Sequence, residues 1–386
     1  MAKKSRSLYR NLALAAVLSI ALNACGRNGG PEDWSAILRP IQDKYAPDTR
    51  LAVFQLKVRS EGGGITAEGT VESAAAKDEV LRRVAEVSRS AVTDKIRLLP
   101  DPALAPKDRG VVIVSVGNVR REPEHPAELV TQVLLGDVLR LLEKEGGWYH
   151  VQCPDRYLGW IDGDALVPVD AAGVDHWESP GRLIVTGRYD LLRIQPDAKA
   201  AIVCDLVEGD VLRLVADRGA WFEATLPDGR HGFVESRAAV RYETWLGSRK
   251  LSPENIETTA RSFMGVPYLW GGTSAKGFDC SGFVKTVFAL NGARLERDAD
   301  QQARGGNEID PGADFGSLRR GDLLYFGRKA TAEKPERIVH VGIYLADRRF
   351  IHCSGRVRVS SLDPNSPDYD EWHTKGFLHA RRFVSE

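Results

Sequence analysis

Between Gly136 and Phe233 the chain writes one pattern twice. Gly136-Asp137-Val138-Leu139-Arg140-Leu141 returns as Gly209-Asp210-Val211-Leu212-Arg213-Leu214. Trp148 returns as Trp221, Pro154-Asp155 as Pro227-Asp228, and Gly159-Trp160 as Gly232-Phe233, all at one spacing without a gap. A stretch that repeats in this way folds as the same unit twice. Short strands, glycine turns and an aromatic after each turn predict two small closed β-barrels. Neither copy carries an obvious nucleophile, so both read as positioning modules.

The flanks read differently. Upstream, Leu51–Val58 and Ile65–Val71 alternate around a glycine turn at 62–64 and predict a hairpin. A helix follows from Ala74 to Ala91, with Val80, Leu81, Val84 and Val87 at helical spacing. Pro100, Pro102 and Pro106 mark a linker. Downstream, Ser252-Pro253 caps a helix whose inner face is Ile256, Ala260 and Phe263 and which Gly265 ends. The fold class expected is α+β, with spans 1–25, 26–106, 107–170, 171–245 and 250–386.

Residues 1–25 stand apart from the fold. Lys3, Lys4, Arg6 and Arg10 lead into a short apolar run, Leu12 to Leu22, that is too short to span a bilayer. With Cys25 directly after Ala24, the segment resembles a bacterial lipoprotein signal, which implies lipidation of Cys25. The expected place is then outside the cytoplasm, on the outer membrane of a Gram-negative cell, held through the lipid alone. The other cysteines, Cys153, Cys204, Cys280 and Cys353, sit singly and form no disulfide framework. Lysine plus arginine equals aspartate plus glutamate, 53 each, so no long-range field draws the chain to nucleic acid.

The chemistry gathers near the C-terminus. Phe278-Asp279-Cys280-Ser281-Gly282 leads into Phe283, Val284, Val287, Phe288 and Leu290 at helical spacing, and Asn291-Gly292 stops the helix. Cys280 therefore starts an amphipathic helix, where free N–H groups and the dipole predict a lowered thiol pKa. Ile338–Leu345 and Phe350–Ser354 read as strands turning at Asp347-Arg348. That turn places His352 opposite Gly342 and diagonal to His340 on one sheet face, ~7–8 Å away at Cα. A thiolate, a histidine that relays its proton and a polar group that orients the histidine make a cysteine peptidase, with Cys280, His340 and His352 in those roles. Tyr268, in the glycine-flanked loop Pro267–Gly272, can donate to a developing oxyanion. A zinc set of Cys280, His340, His352 and Cys353 is the rival, weakened because adjacent strand residues 352 and 353 point oppositely. No metal or other cofactor is expected.

These residues resemble the NlpC/P60 family of papain-like cell-wall peptidases. The resemblance rests on Tyr268, Trp270-Gly271-Gly272, Asp279-Cys280-Ser281-Gly282, Gly321-Asp322-Leu323, His340-Val-Gly-Ile-Tyr344 and His352, in the family's order. The repeat resembles bacterial SH3-like domains. Together they imply a γ-D-glutamyl-L-diamino acid endopeptidase acting on peptidoglycan-derived peptides that carry a free N-terminal L-alanine. By the same resemblance Glu128 and Tyr157 reach the site from the first SH3-like domain, and Trp270, Asp279 and Ser281 join Tyr268 in holding substrate. Cleavage of intact wall, a non-catalytic wall-binding lipoprotein, and acyl transfer or amidase chemistry on the same fold are the other readings.

Overall fold

The computed structural model describes residues 33–61 and 64–384; the segment expected to be a signal, with Cys25, lies outside them. No helix among the described residues is long and apolar enough to cross a membrane.

The first module is a three-stranded sheet with two helices. Phe54–Glu61 pairs antiparallel with Gly64–Val71, helix Ala74–Ser88 crosses over, and Val92–Leu98 returns parallel to Gly64–Val71. Ala76, Val80 and Val84, at helical spacing, fill its core with Ile65, Ala67 and Val71. The hairpin begins at Phe54 rather than Leu51. Asp48 accepts the Arg50 N–H at 3.0 Å and bends residues 49–52 into a turn. Helix Ser35–Tyr45, not anticipated above, packs on the same core through Ile41. The proline linker is not loose: Leu99 is buried with Val53, Leu142 and Leu158, which ties this module to the next.

Two seven-stranded sheets follow with the same topology. The first runs in the order Leu166–Val169, Arg109–Val112, Val138–Glu145, Trp148–Gln152, Leu158–Asp162, Val116–Arg120, Leu129–Leu134. The second runs Ala239–Arg241, Arg182–Val185, Val211–Asp217, Trp221–Thr225, His231–Glu235, Tyr189–Arg193, Ile202–Val207. Each strand of one has its counterpart at the same place in the other.

The repeated Gly-Asp pair has a clear physical task. Asp137 accepts the N–H of Leu134, and Asp210 accepts that of Val207, both at 2.8 Å, each closing a tight turn three residues back. Asp210 does more. Its second oxygen takes the N–H of Leu135 at 3.2 Å, Val211 donates to the Leu135 carbonyl at 2.9 Å, and Leu135 itself is buried in the second sheet's core. Burial raises the Asp210 carboxyl well above its usual range.

The C-terminal part holds a six-stranded antiparallel sheet in the order Asn307–Ile309, Phe377–Arg382, Leu323–Arg328, Arg337–Tyr344, Arg349–Ser354, Arg356–Ser361. Helix Cys280–Leu290 lies on one face. Phe283, Val284, Val287 and Phe288 pack there with Val341, Ile343, Ile351 and Cys353. On the other face Leu324, Phe326, Tyr344 and Phe350 make a second core. Alternation along Arg337–Tyr344 therefore sends His340 and Gly342 away from the helix.

Asp210→Ala leaves two buried N–H groups without acceptors. The expected loss is about 1–3 kcal/mol for each, read as a lower urea midpoint with an unchanged slope. An unchanged midpoint would remove Asp210 from the joint between the sheets.

Candidate active site

Helix Cys280–Leu290 starts where it does because Asp279 caps it, accepting the Gly282 N–H at 2.7 Å. The other Asp279 oxygen accepts the Gly271 N–H at 3.0 Å, which fixes the preceding loop. Gly271 has φ +76°, and a Cβ there would stand 2.3 Å from the Leu129 carbonyl oxygen. The loop can close against the first seven-stranded sheet only because this residue lacks a side chain.

A buried arginine locks the arrangement. Arg297 is 1% exposed and donates to Asp279 at 2.5 and 3.2 Å, to Ser281 Oγ at 3.0 Å and to Thr131 Oγ1 at 3.0 Å. Thr131 belongs to the strand Leu129–Leu134 of the first sheet, whose Gln132 also accepts the Thr273 N–H and the Ser274 hydroxyl at 3.0 and 3.1 Å. Asp279 and Ser281, expected to meet substrate, border the pocket with their polar atoms already engaged by Arg297.

The two histidines meet as the turn register requires. Ile343 pairs with Ile351 and Tyr344 with Phe350, while Asp347 and Arg348 supply the two positive φ angles of a tight hairpin turn. A Cβ on Gly342 would come within 3.2 Å of the His352 Cβ, so the empty position opposite His352 leaves room for both rings. His340 Nε2 and His352 Nδ1 are 2.8 Å apart, and His352 Nε2 is 3.0 Å from Ser360 Oγ. His373, from helix Glu371–Lys375, closes the group with ring centroids 4.4 Å from His340 and 4.7 Å from His352. Asp370 holds His373 Nδ1 at 2.8 Å. Neither Ser360 nor His373 carried a local sequence signal.

The Cys280 thiol contacts the Val339 carbonyl at 4.0 Å, directly before His340, rather than the imidazole. The ladder slips at this point, where Gly327 pairs with Ile338 and Phe326 with His340, so Val339 forms a bulge beside the sulfur. The expected lowering of the thiol pKa is not found. Burial, then the Asp279 charge, push it up to about 12, against the N–H groups of Val341 and Ser281. The helix terminus does act on the sulfur, but desolvation outweighs it. His340 and His352 are both held well below 6.5, first by burial, so they rest as neutral imidazoles.

Cys280 opens into a pocket of about 950 Å³. Glu128, Tyr157, Tyr268 and Trp270 line it, together with Asp279 and Ser281. The Glu128 carboxylate is paired with Arg121 at 2.6 Å and accepts the Trp270 indole N–H at 2.9 Å. Tyr157 donates to Asp298 at 2.9 Å. Asp298 in turn binds Arg50 at 2.7 Å, so the first module also reaches the pocket. Asp298 begins the helix Ala299–Gln302 through a reciprocal cap with Gln301. That Asp-x-x-Gln spacing was visible in the sequence and marked a helix start beside the site.

The nitrogens of His340, His352 and His373 lie within 4.8 Å of one another. Tetrahedral zinc, with bonds of about 2.0–2.1 Å, keeps its ligand atoms ~3.3 Å apart, whereas the His340–His352 separation of 2.8 Å is that of a hydrogen bond. Cys353 turns to the helix side and donates to the Phe278 carbonyl at 3.2 Å, so the zinc set that included it does not form.

A thiol at a helix start beside a sheet that bears two coupled imidazoles defines a cysteine peptidase. Residues 265–376 match the NlpC/P60 family, and residues 119–166 match the bacterial dipeptidyl-peptidase Sh3 domain. The chain is 30% identical over 230 residues to the γ-D-glutamyl-L-lysine dipeptidyl-peptidase of Bacillus subtilis, covering 58% of this chain and 71% of that one. It is 28% identical over 270 residues to dipeptidyl-peptidase 6 of Lysinibacillus sphaericus, covering 67% and 93%. A crystal structure of an NlpC/P60 family protein from Bacillus cereus superposes with a TM-score of 0.61 at 24% identity, over 72% of this chain and all of that one. The protein belongs to the NlpC/P60 family of cysteine peptidases.

Because the folded pKa values of His340 and His352 lie below the unfolded value of 6.5, the unfolded chain takes up protons first on acidification. The stability that neutral imidazoles contribute is full above pH 6.5 and is lost as pH falls below it. Thermal midpoints should drop between pH 7 and 5, and His352→Gln should flatten that drop. Parallel pH profiles for the two proteins would contradict the assignment.

Proposed function

We propose that the protein hydrolyses the γ-D-glutamyl–diamino acid bond of peptidoglycan stem peptides whose N-terminal L-alanine is free. The observation that carries this reading is Glu128, brought by the first seven-stranded sheet into the same pocket as Cys280. Arg121 occupies one Glu128 oxygen and the Trp270 N–H fixes the other, which keeps lone-pair capacity for an ammonium group. Arg50, Val130 and Tyr157 line the pocket together with Glu128, and in this reading they admit a short free peptide and obstruct a glycan-linked one.

In this reading Cys280 attacks the γ-carbonyl carbon as its proton passes to His340 Nδ1. His340 Nε2–H then donates to His352 Nδ1, and His352 Nε2–H to Ser360 Oγ, a set of tautomers in which every ring nitrogen of the relay has one role. Burial raises the Tyr268 phenol above its usual range, so it stays protonated and can donate to the oxyanion. The imidazolium of His340 then protonates the leaving amine, and water resolves the thioester by the same route. Outside the described residues, we place Cys25 as the lipid anchor of an exported protein facing the periplasm from the outer membrane. Palmitate label that persists in Cys25→Ala would exclude this.

Cys280→Ala should abolish cleavage with the fold intact. Glu128→Gln should lower kcat/KM on L-Ala-γ-D-Glu-diamino acid peptides about tenfold or more, because one partner of a charge-assisted contact is removed. N-acetylation of the alanine should cost the wild type as much and the variant little further. Wild-type protein that cuts acetylated or glycan-linked peptides as fast as free ones would overturn the free-alanine reading in favour of a hydrolase of intact wall.

A further inference from the structure

Where the second copy of the repeat has Gly229, at φ +85° in open space, the first has Arg156, at φ +70°. An arginine held in the left-handed region carries strain that a glycine avoids. The Gly-Asp pair also differs between the copies. Both Asp210 oxygens accept backbone N–H groups, whereas Asp137 accepts only that of Leu134, through Oδ2. Asp137 Oδ1 has no hydrogen bond among the described residues.

Both departures border one cleft. Asp137 and Arg156 line a pocket of about 690 Å³ together with Leu51 of the first module, Lys285 of helix Cys280–Leu290 and parts of the segment 294–305. It is distinct from the pocket of Cys280, and Arg304 alone lines both.

The charges of this cleft divide into answered and unanswered ones. Lys285 pairs with Asp155 at 3.0 Å, and Arg304 with Asp300 at 3.1 Å. Arg156, Arg294, Asp137 and Glu296 have no ion pair among the described residues. Desolvation raises the Asp137 carboxyl to about 6, against the Leu134 N–H and the charges of Lys285 and Arg294. Leu51, Leu295 and Phe383 supply apolar wall between the charged groups. A simple anion here would meet Asp137 and Glu296, and a simple cation would meet Arg156 and Arg294. A molecule with both charges at its ends and a less polar middle satisfies all of them.

We propose that the cleft is a second binding site, which takes a short zwitterionic peptide with its ammonium on Asp137 and its carboxylate on Arg156 and Arg294. The bound peptide is not the one being cut, because Cys280 opens into the other pocket. It is nevertheless linked to the chemistry. Gln302 borders the cleft and donates Nε2 to the carbonyls of Ser281 and Glu296 at 3.1 and 2.8 Å, so one buried side chain joins the cleft wall to the residue after Cys280. The inference does not depend on which bond the enzyme cleaves.

The test titrates trialanine, N-acetyl-trialanine and trialanine amide into the protein by calorimetry. Each masked peptide should bind about tenfold or more weakly than trialanine, because each lacks one of the two charges. Arg156→Gly places there the residue of the second copy, so its thermal midpoint should hold or rise. That variant should bind trialanine no better than the amide. Asp137→Asn keeps an oxygen for the Leu134 N–H and should bind trialanine no better than the acetylated form. Glu128→Gln, in the other pocket, should retain the wild-type preference. Equal affinity for the three peptides, or no binding of trialanine at millimolar concentration, would overturn the inference. So would binding lost in Glu128→Gln and kept in Arg156→Gly, which would place the peptide beside Cys280 instead.

Discussion

The guanidinium of Arg297 is the interaction on which the site depends. A fully buried cation is tolerated only where every direction is answered, and Asp279, Ser281 and Thr131 answer it. One of these caps the helix that presents Cys280, the next follows the cysteine, and the third lies on a different sheet. Loss of one partner of such a pair costs about 3–5 kcal/mol. The cost would fall at once on the helix start, the loop at Gly271 and the joint between domains. The order of the site is therefore a property of the interface as much as of the peptidase fold.

The relay is built on another economy of space. Two imidazoles could share one face because Gly342 leaves a gap opposite His352, and His373 packs its ring against both. Burial keeps the rings neutral and raises the thiol pKa together. The resting enzyme is thus an uncharged pair rather than a preformed ion pair. Substrate binding has to supply the polarisation that separates charge.

What could be read in advance followed chain-local signals. The Gly-Asp repeat foretold two sheets of identical strand order, because each aspartate closes its own turn three residues away. The helix start at Cys280, the stop at Asn291-Gly292 and the Asp347-Arg348 turn were legible for the same reason, and the turn set the His340–His352 diagonal. Arg297, Ser360 and His373 were not legible, because each acquires its partner only in three dimensions. The thiol pKa went astray on the same ground: a helix terminus is visible in a sequence, but the depth at which it is buried is not. Helix Ser35–Tyr45 escaped notice because Pro40 interrupts its pattern and its amphipathic face is narrow, with Ile41 as its one buried residue.

Arg50 offers a last consequence. It binds Asp298 and Asp300 at 2.7 and 2.8 Å, across nearly 250 positions of sequence, while Glu128 and Thr131 come from a third region of the chain. Three segments made at well-separated moments of synthesis must all be in place before the pocket exists. A half-made or half-folded chain carries the thiol but nothing to hold a substrate against it. Order of assembly then acts as a safety catch: the thiol of this hydrolase has nothing to cut until all three segments have met.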